Sequence, residues 1–274
     1  MTPPGDLRIE ALGVGCAVRC RDPELAAVIG ELWSPFAVED ARPAAGFEVA
    51  PTGSGWTVTG PAGSTPAEDR SAALTGLATA LNAHVLGTTR FLACHAAVVT
   101  VGRGAVAFLA ESGTGKSTLT AALLRRGCGY VSDESLCLDP STGDVVAYPR
   151  PVALLPWSRA ALGLTPRWPG EEETLYRPAD LGGVVVRIPP PLTQVVLLER
   201  SGDPRARLEP LSRQRAAAGL LRHSFNHWRD PATAFRIAHE ALSTAAAWRM
   251  TLGDPGASAE LVLSTFAAEA GSRA

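Results

Sequence analysis

Ala110-Glu111-Ser112-Gly113-Thr114-Gly115-Lys116-Ser117 stands between an apolar run, 104–110, and a segment with helical spacing, 117–126, which Gly127 closes. This strand–turn–helix context predicts a phosphate-binding loop, although alanine replaces the usual first glycine. Backbone N–H groups of such a loop bind phosphate oxygens at a helix N-terminus. The residues predicted to bind the phosphates are Ser112, Gly113, Thr114, Gly115, Lys116, Ser117 and Thr118.

Lys116 is the only lysine in 274 residues, and the other 24 basic residues are arginines. A compact ammonium on a flexible stem can reach between two phosphates, where a planar guanidinium would not fit the same space. In loops of this kind the serine hydroxyl, here that of Ser117, ligates Mg²⁺. The sequence therefore predicts ATP and Mg²⁺ as cofactors.

Asp133 and Glu134 follow a predicted strand, 129–132, which comes directly after the helix and Gly127. A right-handed crossover would make this strand parallel to the strand before the loop. Both strands would then end at the carboxyl edge of the sheet, where open α/β folds bind ligands. One carboxylate could join Ser117 as a metal ligand, and the other could accept a proton from an attacking hydroxyl. The alternative is that both are surface turn residues.

His95 lies in a further apolar run, 91–101. By itself, a histidine in an apolar strand is more often a hydrogen-bonded core residue than a catalytic one. The pattern around it leaves both interpretations open.

Taken together, His95, the loop 111–117, Arg126-Gly127 and Ser132-Asp133-Glu134 resemble the core of the HPr kinase/phosphorylase family, over roughly residues 90–150. The resemblance implies a P-loop kinase domain with a PEP carboxykinase/HPr kinase-like sheet. It also implies transfer of phosphate to a serine and places His95 in the site with Lys116, Asp133 and Glu134.

The chain departs from that family at Glu134, where the family has the aspartate that acts as base, so which of the two acids is the base stays open. The family's downstream glycine-rich signature and its glutamate metal ligand have no match here, and both HPr as substrate and phosphorylase activity are therefore not expected. The segment Tyr148-Pro149-Arg150-Pro151 and the N-terminal region resemble divergent HPr kinase-related proteins of peptide-modification gene clusters, such as those for lasso peptides. That resemblance implies a ribosomal precursor peptide with an acceptor serine as partner.

The sequence predicts two parts, a small α/β N-terminal region over 1–88 and the P-loop domain over 89–274. In the first part, a strand pair or one long bent strand is expected over 7–20, a hairpin over 46–60, helices over 22–33 and 68–87, and a break over 61–67. In the second, a hairpin is expected over 136–148, a mobile loop over 160–191 and a buried strand over 193–199. The tail is expected to be helical over 214–222, 231–247 and 257–269.

Composition excludes several classes of function. A net charge of −2 and a pI near 6.2 argue against a nucleic-acid-binding surface. Five scattered cysteines indicate reduced thiols, and no signal peptide or membrane-length apolar run is visible. We therefore expect a soluble, cytoplasmic protein without a membrane partner, and a homo-oligomer is left open.

Three further groups of residues are more consistent with ordinary surface roles. Six arginines between 200 and 222 could clamp phosphates or an acidic peptide, although a solvated face paired with acids is the simpler interpretation. His223 and His227 have the spacing of a metal pair on a helix. The acidic run 171–173 is expected in a solvated loop, from which it could reach the metal on closure.

Three functions remain open. The first is a kinase for a serine-type hydroxyl of a peptide or small protein. The second is a kinase for a small metabolite such as free serine. The third is an ATP-binding regulatory module without turnover.

Overall fold

The computed structural model describes residues 6–40 and 42–269. These residues form a mixed α/β fold with two large sheets, which confirms the predicted α/β class. No helix within the described ranges is long and apolar enough to span a membrane. All five cysteines are buried and carry free thiols.

The N-terminal sheet has five strands, in the order β1-β2-β3-β4-β5. Alternate residues of its second strand are buried, which places one face of the sheet against two helices. The helices begin at Asp22 and Asp69, whose side chains accept backbone N–H groups of the first turn. The elements are β1 (Asp6–Ala11), β2 (Val14–Cys20), α1 (Pro23–Leu32), β3 (Ala45–Thr52), β4 (Gly55–Gly60), β5 (Gly63–Ala67) and α2 (Arg70–Thr88), with a 3₁₀ turn at Ser34–Phe36.

The strand pair, the hairpin and both helices of this region are confirmed, but the predicted break over 61–67 is wrong. β5 pairs with β4 as the edge strand of the sheet, where Pro66 is tolerated because an edge strand needs fewer backbone donors. The core under this sheet also contains Phe91, Tyr148 and Leu175 from later in the chain. Because residues from both sides of residue 88 share this core, the division of the chain into two parts at that residue stays a prediction.

The central sheet has the order β10-β9-β6-β7-β14-β16-β15, and β8 pairs with both β6 and β13. Its elements and those around it are β6 (Leu92–Val101), β7 (Gly104–Leu109), α3 (Lys116–Leu124), β8 (Gly129–Ser132), β9 (Ser135–Leu138), β10 (Val145–Val146), β11 (Val152–Leu154), α4 (Pro156–Leu162), β12 (Thr174–Tyr176), β13 (Val184–Val185), β14 (Leu192–Arg200), β15 (Arg207–Pro210), α5 (Arg213–Arg222), α6 (Pro231–Thr244), β16 (Ala246–Leu252) and α7 (Pro255–Glu269), with 3₁₀ turns at Pro178–Leu181 and His227–Arg229.

Helices cover both faces of the central sheet. Along β7, Val106 and Phe108 pack in the core that α3 and α7 complete. Ala107 and Leu109 face the opposite core, which α5 and α6 complete. A strand that is buried on both faces consists mostly of consecutive apolar residues. This is why β6, β7 and β14 could be predicted from the sequence.

β8 runs parallel to β7, as predicted, but β6 lies between them and is antiparallel to both. β8 and β9 pair with the same edge of β6, so Asp133 and Glu134 lie at an interruption between two collinear strands. Asp133 thus follows the end of β8, as predicted, and the intervening strand β6 is what the sequence did not predict.

Two other predictions are wrong. The segment 160–191, which the sequence predicts as a mobile loop, contains β12, β13 and a 3₁₀ turn, because β12 pairs with β11 and β13 with β8. The predicted helix over 231–247 ends at Thr244, and β16 follows it as a parallel neighbour of β14.

Candidate active site

The turn between β7 and α3 holds two glycines in conformations that other residues rarely adopt. Gly113 has φ 77° and Gly115 has φ 123°. Gly115 precedes the first residue of α3, and within the described residues no side chain caps this helix. The N–H groups of its first turn are therefore available to an anion.

Lys116 is 6% exposed, and its Nζ donates to the carbonyl oxygens of Ala110 at 2.7 Å and Glu111 at 3.0 Å. Burial lowers the pKa of Lys116, whereas the charges of Asp133, Glu134 and Glu111 raise it, with burial prevailing. The Lys116 ammonium thus contacts the backbone at the start of its own loop and interacts electrostatically with three carboxylates.

Asp133 is 5% exposed, and its Oδ1 finds no hydrogen-bond partner among the described residues. Burial raises the pKa of Asp133 to about 7, while the nearby Ser117 hydroxyl and the Arg150 charge act against that rise. A buried carboxylate oxygen without a partner is unfavourable. A cation placed between Asp133 and Ser117 would remove this cost.

Glu134 has close partners on both sides. Its Oε2 accepts from Nη1 of Arg150 at 2.5 Å, and its Oε1 lies 3.4 Å from Nδ1 of His95. Burial alone would raise the pKa of Glu134, but the His95 hydrogen bond and the Arg150 charge together lower it. Glu134 is therefore held in its ionised form, in contrast to Asp133.

Arg150 is a site residue that the sequence motifs did not single out. Burial lowers the pKa of its guanidinium, but the charge of Glu134 raises it and prevails. Its position is fixed through its backbone, because Tyr130 Oη donates to the Arg150 carbonyl oxygen at 2.6 Å. The available signal was an arginine flanked by Pro149 and Pro151, in the segment already noted.

β6 brings His95 to the start of the turn between β7 and α3, because Ala96 pairs with Leu109, the last residue of β7. The backbone N–H of His95 donates to the carbonyl oxygen of His223 at 2.7 Å, and its ring meets that of Phe225 edge to face at 5.5 Å. His95 is thus half-buried beside Glu134 and does not belong to the apolar core.

His223 is a second neighbour that the sequence missed in this role. Burial lowers the pKa of His223, the charges of His95 and Lys116 lower it further, and Glu111 acts in the opposite direction. The idea of a metal pair is corrected, since His223 follows the end of α5 and His227 begins a separate 3₁₀ turn. No group of three or more His, Cys, Asp or Glu residues that could hold a metal occurs in ranges 6–40 and 42–269.

The remaining predicted loop residues differ in exposure. Ser112 is exposed, Thr114 and Ser117 are half-buried, and Thr118 is buried. Thr118 Oγ1 lies 2.8 Å from Ser158 Oγ. The Thr118 side chain is therefore engaged away from the turn, which leaves its backbone as the group that could meet a phosphate.

The arginines of 200–222 do not act as one clamp. Arg205 and Arg207 pair with Asp203, a surface pairing that the simpler interpretation predicted. Arg200, in contrast, donates to the Gly113 carbonyl oxygen at 3.3 Å, and Arg222 pairs with Glu111 at 3.1 Å.

Only Glu172 of the acidic run 171–173 is exposed, so the run is not the solvated segment that the sequence predicts. Glu171 is 5% exposed and accepts hydrogen bonds from Ser71, Thr174 and the Arg167 backbone. Glu173 is half-buried; burial raises its pKa, while the nearby Arg150 charge lowers it.

Comparison with known proteins finds distant similarity. No protein-family model matches the chain, and no curated protein matches it. Among solved structures, the chain is similar to the HPr(Ser) kinase/phosphatase from Coxiella burnetii, with 14% identity and a TM-score of 0.33. The alignment covers 63% of this chain and 93% of that one. The function proposed next rests on the residues of the site and not on this likeness.

Proposed function

We propose that the chain is an ATP-dependent kinase that transfers the γ-phosphoryl group to the hydroxyl of a serine in a peptide or small protein. The observation that carries the proposal is the meeting of Lys116, Asp133, Glu134 and His95 around the uncapped start of α3. Phosphoryl transfer needs mainly positioning and neutralisation of charge, so a small set of residues is sufficient.

The backbone of residues 113–118 and the Lys116 ammonium would bind the β- and γ-phosphates. Ser117 and the unpartnered Oδ1 of Asp133 fit Mg²⁺, which is usually bound through one or two carboxylates together with substrate phosphates. When bound, Mg²⁺ supplies positive charge against the phosphates, and Asp133 would stay ionised beside it.

Glu134 is assigned as the base. In the reaction, the acceptor oxygen forms a bond to the γ-phosphorus, the bond from that phosphorus to the β–γ bridging oxygen breaks, and the hydroxyl proton moves to Glu134. Arg150 and His95 support this role because they keep Glu134 ionised and oriented. His95 adds a donor near the transferred group.

A peptide acceptor is supported by the resemblance of this chain to HPr kinase-related proteins of peptide-modification gene clusters, in which a ribosomal precursor peptide carries the acceptor serine. The acceptor would enter on the side of β6 and β8, since His95 and Glu134 lie there. A cytoplasmic location would suit such a kinase.

Transfer of label from γ-labelled ATP to serine-containing peptides tests this function. Lys116→Ala, Asp133→Asn and Glu134→Gln should each lower the rate by about 100-fold or more, because each removes charge placed for the transition state. Glu260→Gln, an exposed change on α7, is the matched control and should keep the rate.

Three results would contradict the proposal. Full activity of both carboxylate variants would show that neither Asp133 nor Glu134 has the role assigned to it. Transfer of label to free serine but to no peptide would show that the acceptor is a small metabolite. Tight ATP binding without transfer to any acceptor would favour a regulatory module.

A further inference from the structure

A cavity of about 230 Å³ adjoins the phosphate-loop turn. One wall is formed by Gly115 and the first turn of α3, and another by Trp157 at the start of α4. The rest comes from the segments that follow β14 and β16, including Arg200 and Leu252. Cavities for whole ligands usually measure about 300–1,000 Å³, so this one suits part of a ligand.

The cavity lies across β7 from the carboxylates. In the central sheet β6, which contains His95, pairs with one edge of β7, and β8, which Asp133 and Glu134 follow, pairs with the far edge of β6. β14 and β16 flank the other side, parallel to β7, and their carboxyl ends form the cavity. A phosphate chain that passes over the turn with its terminal phosphate near Asp133 would therefore leave its other end at the cavity.

The lining is chemically suited to a flat aromatic group. Trp157 is 44% exposed, so part of its indole is accessible from the cavity. The Arg200 guanidinium lies 5.4 Å from the centre of its ring. Leu252 adds an apolar surface close to the turn, since a Cβ on Gly115 would lie 3.1 Å from its Cδ1.

A backbone hydrogen bond joins the segments that follow β14 and β16, because Asp254 N donates to the Pro204 carbonyl oxygen at 2.8 Å. Within the second segment, Gly253 N donates to Ser258 Oγ of α7 at 3.0 Å. Gly253 permits this approach, because a Cβ there would come within 2.2 Å of the Pro204 oxygen. The cavity is thus a formed feature of the fold.

We propose that this cavity binds the heterocyclic base and sugar of the nucleoside triphosphate, with the Trp157 indole stacked on the base. The proposal rests on the proposed function, because it requires the phosphates to occupy the turn. A purine is favoured over a pyrimidine, since its larger ring system overlaps more of the indole. Arg200, which already contacts both Trp157 and the turn, closes the junction between base and phosphates.

Calorimetric titration with Mg²⁺–ATP and with Mg²⁺–tripolyphosphate, which lacks base and sugar, tests this inference. The wild-type protein should bind ATP at least tenfold more tightly than tripolyphosphate. Trp157→Ala should weaken ATP binding about tenfold and leave tripolyphosphate binding unchanged. Lys116→Ala should weaken binding of both ligands, because it acts on the phosphates.

Trp228→Ala is the matched control, since Trp228 is also exposed and also carries an arginine, Arg229, over its ring at 5.5 Å. It should bind both ligands as the wild type does. Trp157→Phe keeps an aromatic ring and should retain ATP affinity within about threefold, which separates stacking from damage to the fold.

The failures of the two proposals are distinguishable. Equal affinity of the wild-type protein for ATP and tripolyphosphate, or unchanged ATP affinity of Trp157→Ala, would overturn the base site alone. Binding of neither ligand to the wild-type protein would overturn the phosphate site, and the base site with it.

Discussion

Asp133 and Glu134 are adjacent in sequence, yet their surroundings move their pKa values in opposite directions. Burial raises the pKa of Asp133 to about 7, while His95 and Arg150 lower the pKa of Glu134. Pairs of acids whose environments separate their pKa values often have different roles in a reaction. The contrast is the physical basis for assigning Asp133 to the metal and Glu134 to the proton.

The nucleotide-free protein should lose stability as pH rises from about 4 to about 7. In that range the unfolded chain, with a pKa of 3.8 for this residue, has released a proton that the folded Asp133 still holds. Ionising the buried group therefore costs up to about 4 kcal/mol of stability. Asp133→Asn should flatten this slope in the free energy of unfolding, measured with urea at several pH values.

Asp144→Asn, at an exposed position, is the control for that measurement and should keep the wild-type slope. The same slope in Asp133→Asn as in the wild type would show that Asp133 is not the group responsible.

Sequence patterns could identify Lys116, Ser117 and the acidic pair, because each stands at a fixed distance from a glycine-rich turn. They could not identify Arg150 or His223, which reach the site only through tertiary packing. Nor could they distinguish Asp133 from Glu134, since the difference arises from burial and from side chains distant in sequence.

Helices and strands are predicted most accurately from the sequence where the pattern of hydrophobic residues is unambiguous. β7 and β14 are continuous apolar runs, and α2 has a capping aspartate and regular spacing. β16 was hidden because its first residues, Ala246 and Ala247, continue the alanine-rich composition of α6. The helix ends there because Ala245 adopts an extended conformation, which no turn residue announces.

Glu171 joins elements that are far apart in the chain. Its carboxylate accepts from Ser71 in α2, from Thr174 in β12 and from the Arg167 N–H. Glu171→Ala would leave buried donors without an acceptor, at about 1–3 kcal/mol for each. We expect a loss of about 3 kcal/mol in the free energy of unfolding, measured with urea.

The neighbouring Glu172 is exposed, so Glu172→Ala is the matched control and should change stability by less than about 0.5 kcal/mol. An equal effect of the two substitutions would mean that the Glu171 contacts contribute nothing.

For the molecule as a whole, the lysine content allows one measurement that few proteins permit. An amine-specific reagent can modify only Lys116 and the chain's amino terminus. Because Lys116 is buried and donates to two carbonyl oxygens, its modification should be slow, and Mg²⁺–ATP should slow it several-fold further. Mass spectrometry of the modified peptides measures both sites.

The amino terminus is an internal control in that experiment, since its rate should not depend on ATP. Equal rates of Lys116 modification with and without saturating ATP would contradict the proposed contact between Lys116 and the phosphates.

The α/β class, the sheet around the loop and most of its helices could be predicted, because local patterns and the right-handed crossover rule determine them. The order of the central sheet could not, since β14 and β16 come from the last third of the chain and pair beside β7 only in the folded molecule. The cavity at the carboxyl ends of β14 and β16 could not be predicted from the sequence for the same reason.

The arrangement of strands about β7 has a consequence for how such a protein can diversify. Residues that would meet the acceptor come from β6, β8 and the turn after α5, whereas those that would hold the base follow β14 and β16. Exchange of one set need not disturb the other, because the turn that would hold the phosphates separates them. A lineage built on this sheet could therefore acquire new acceptors while keeping its phosphate donor.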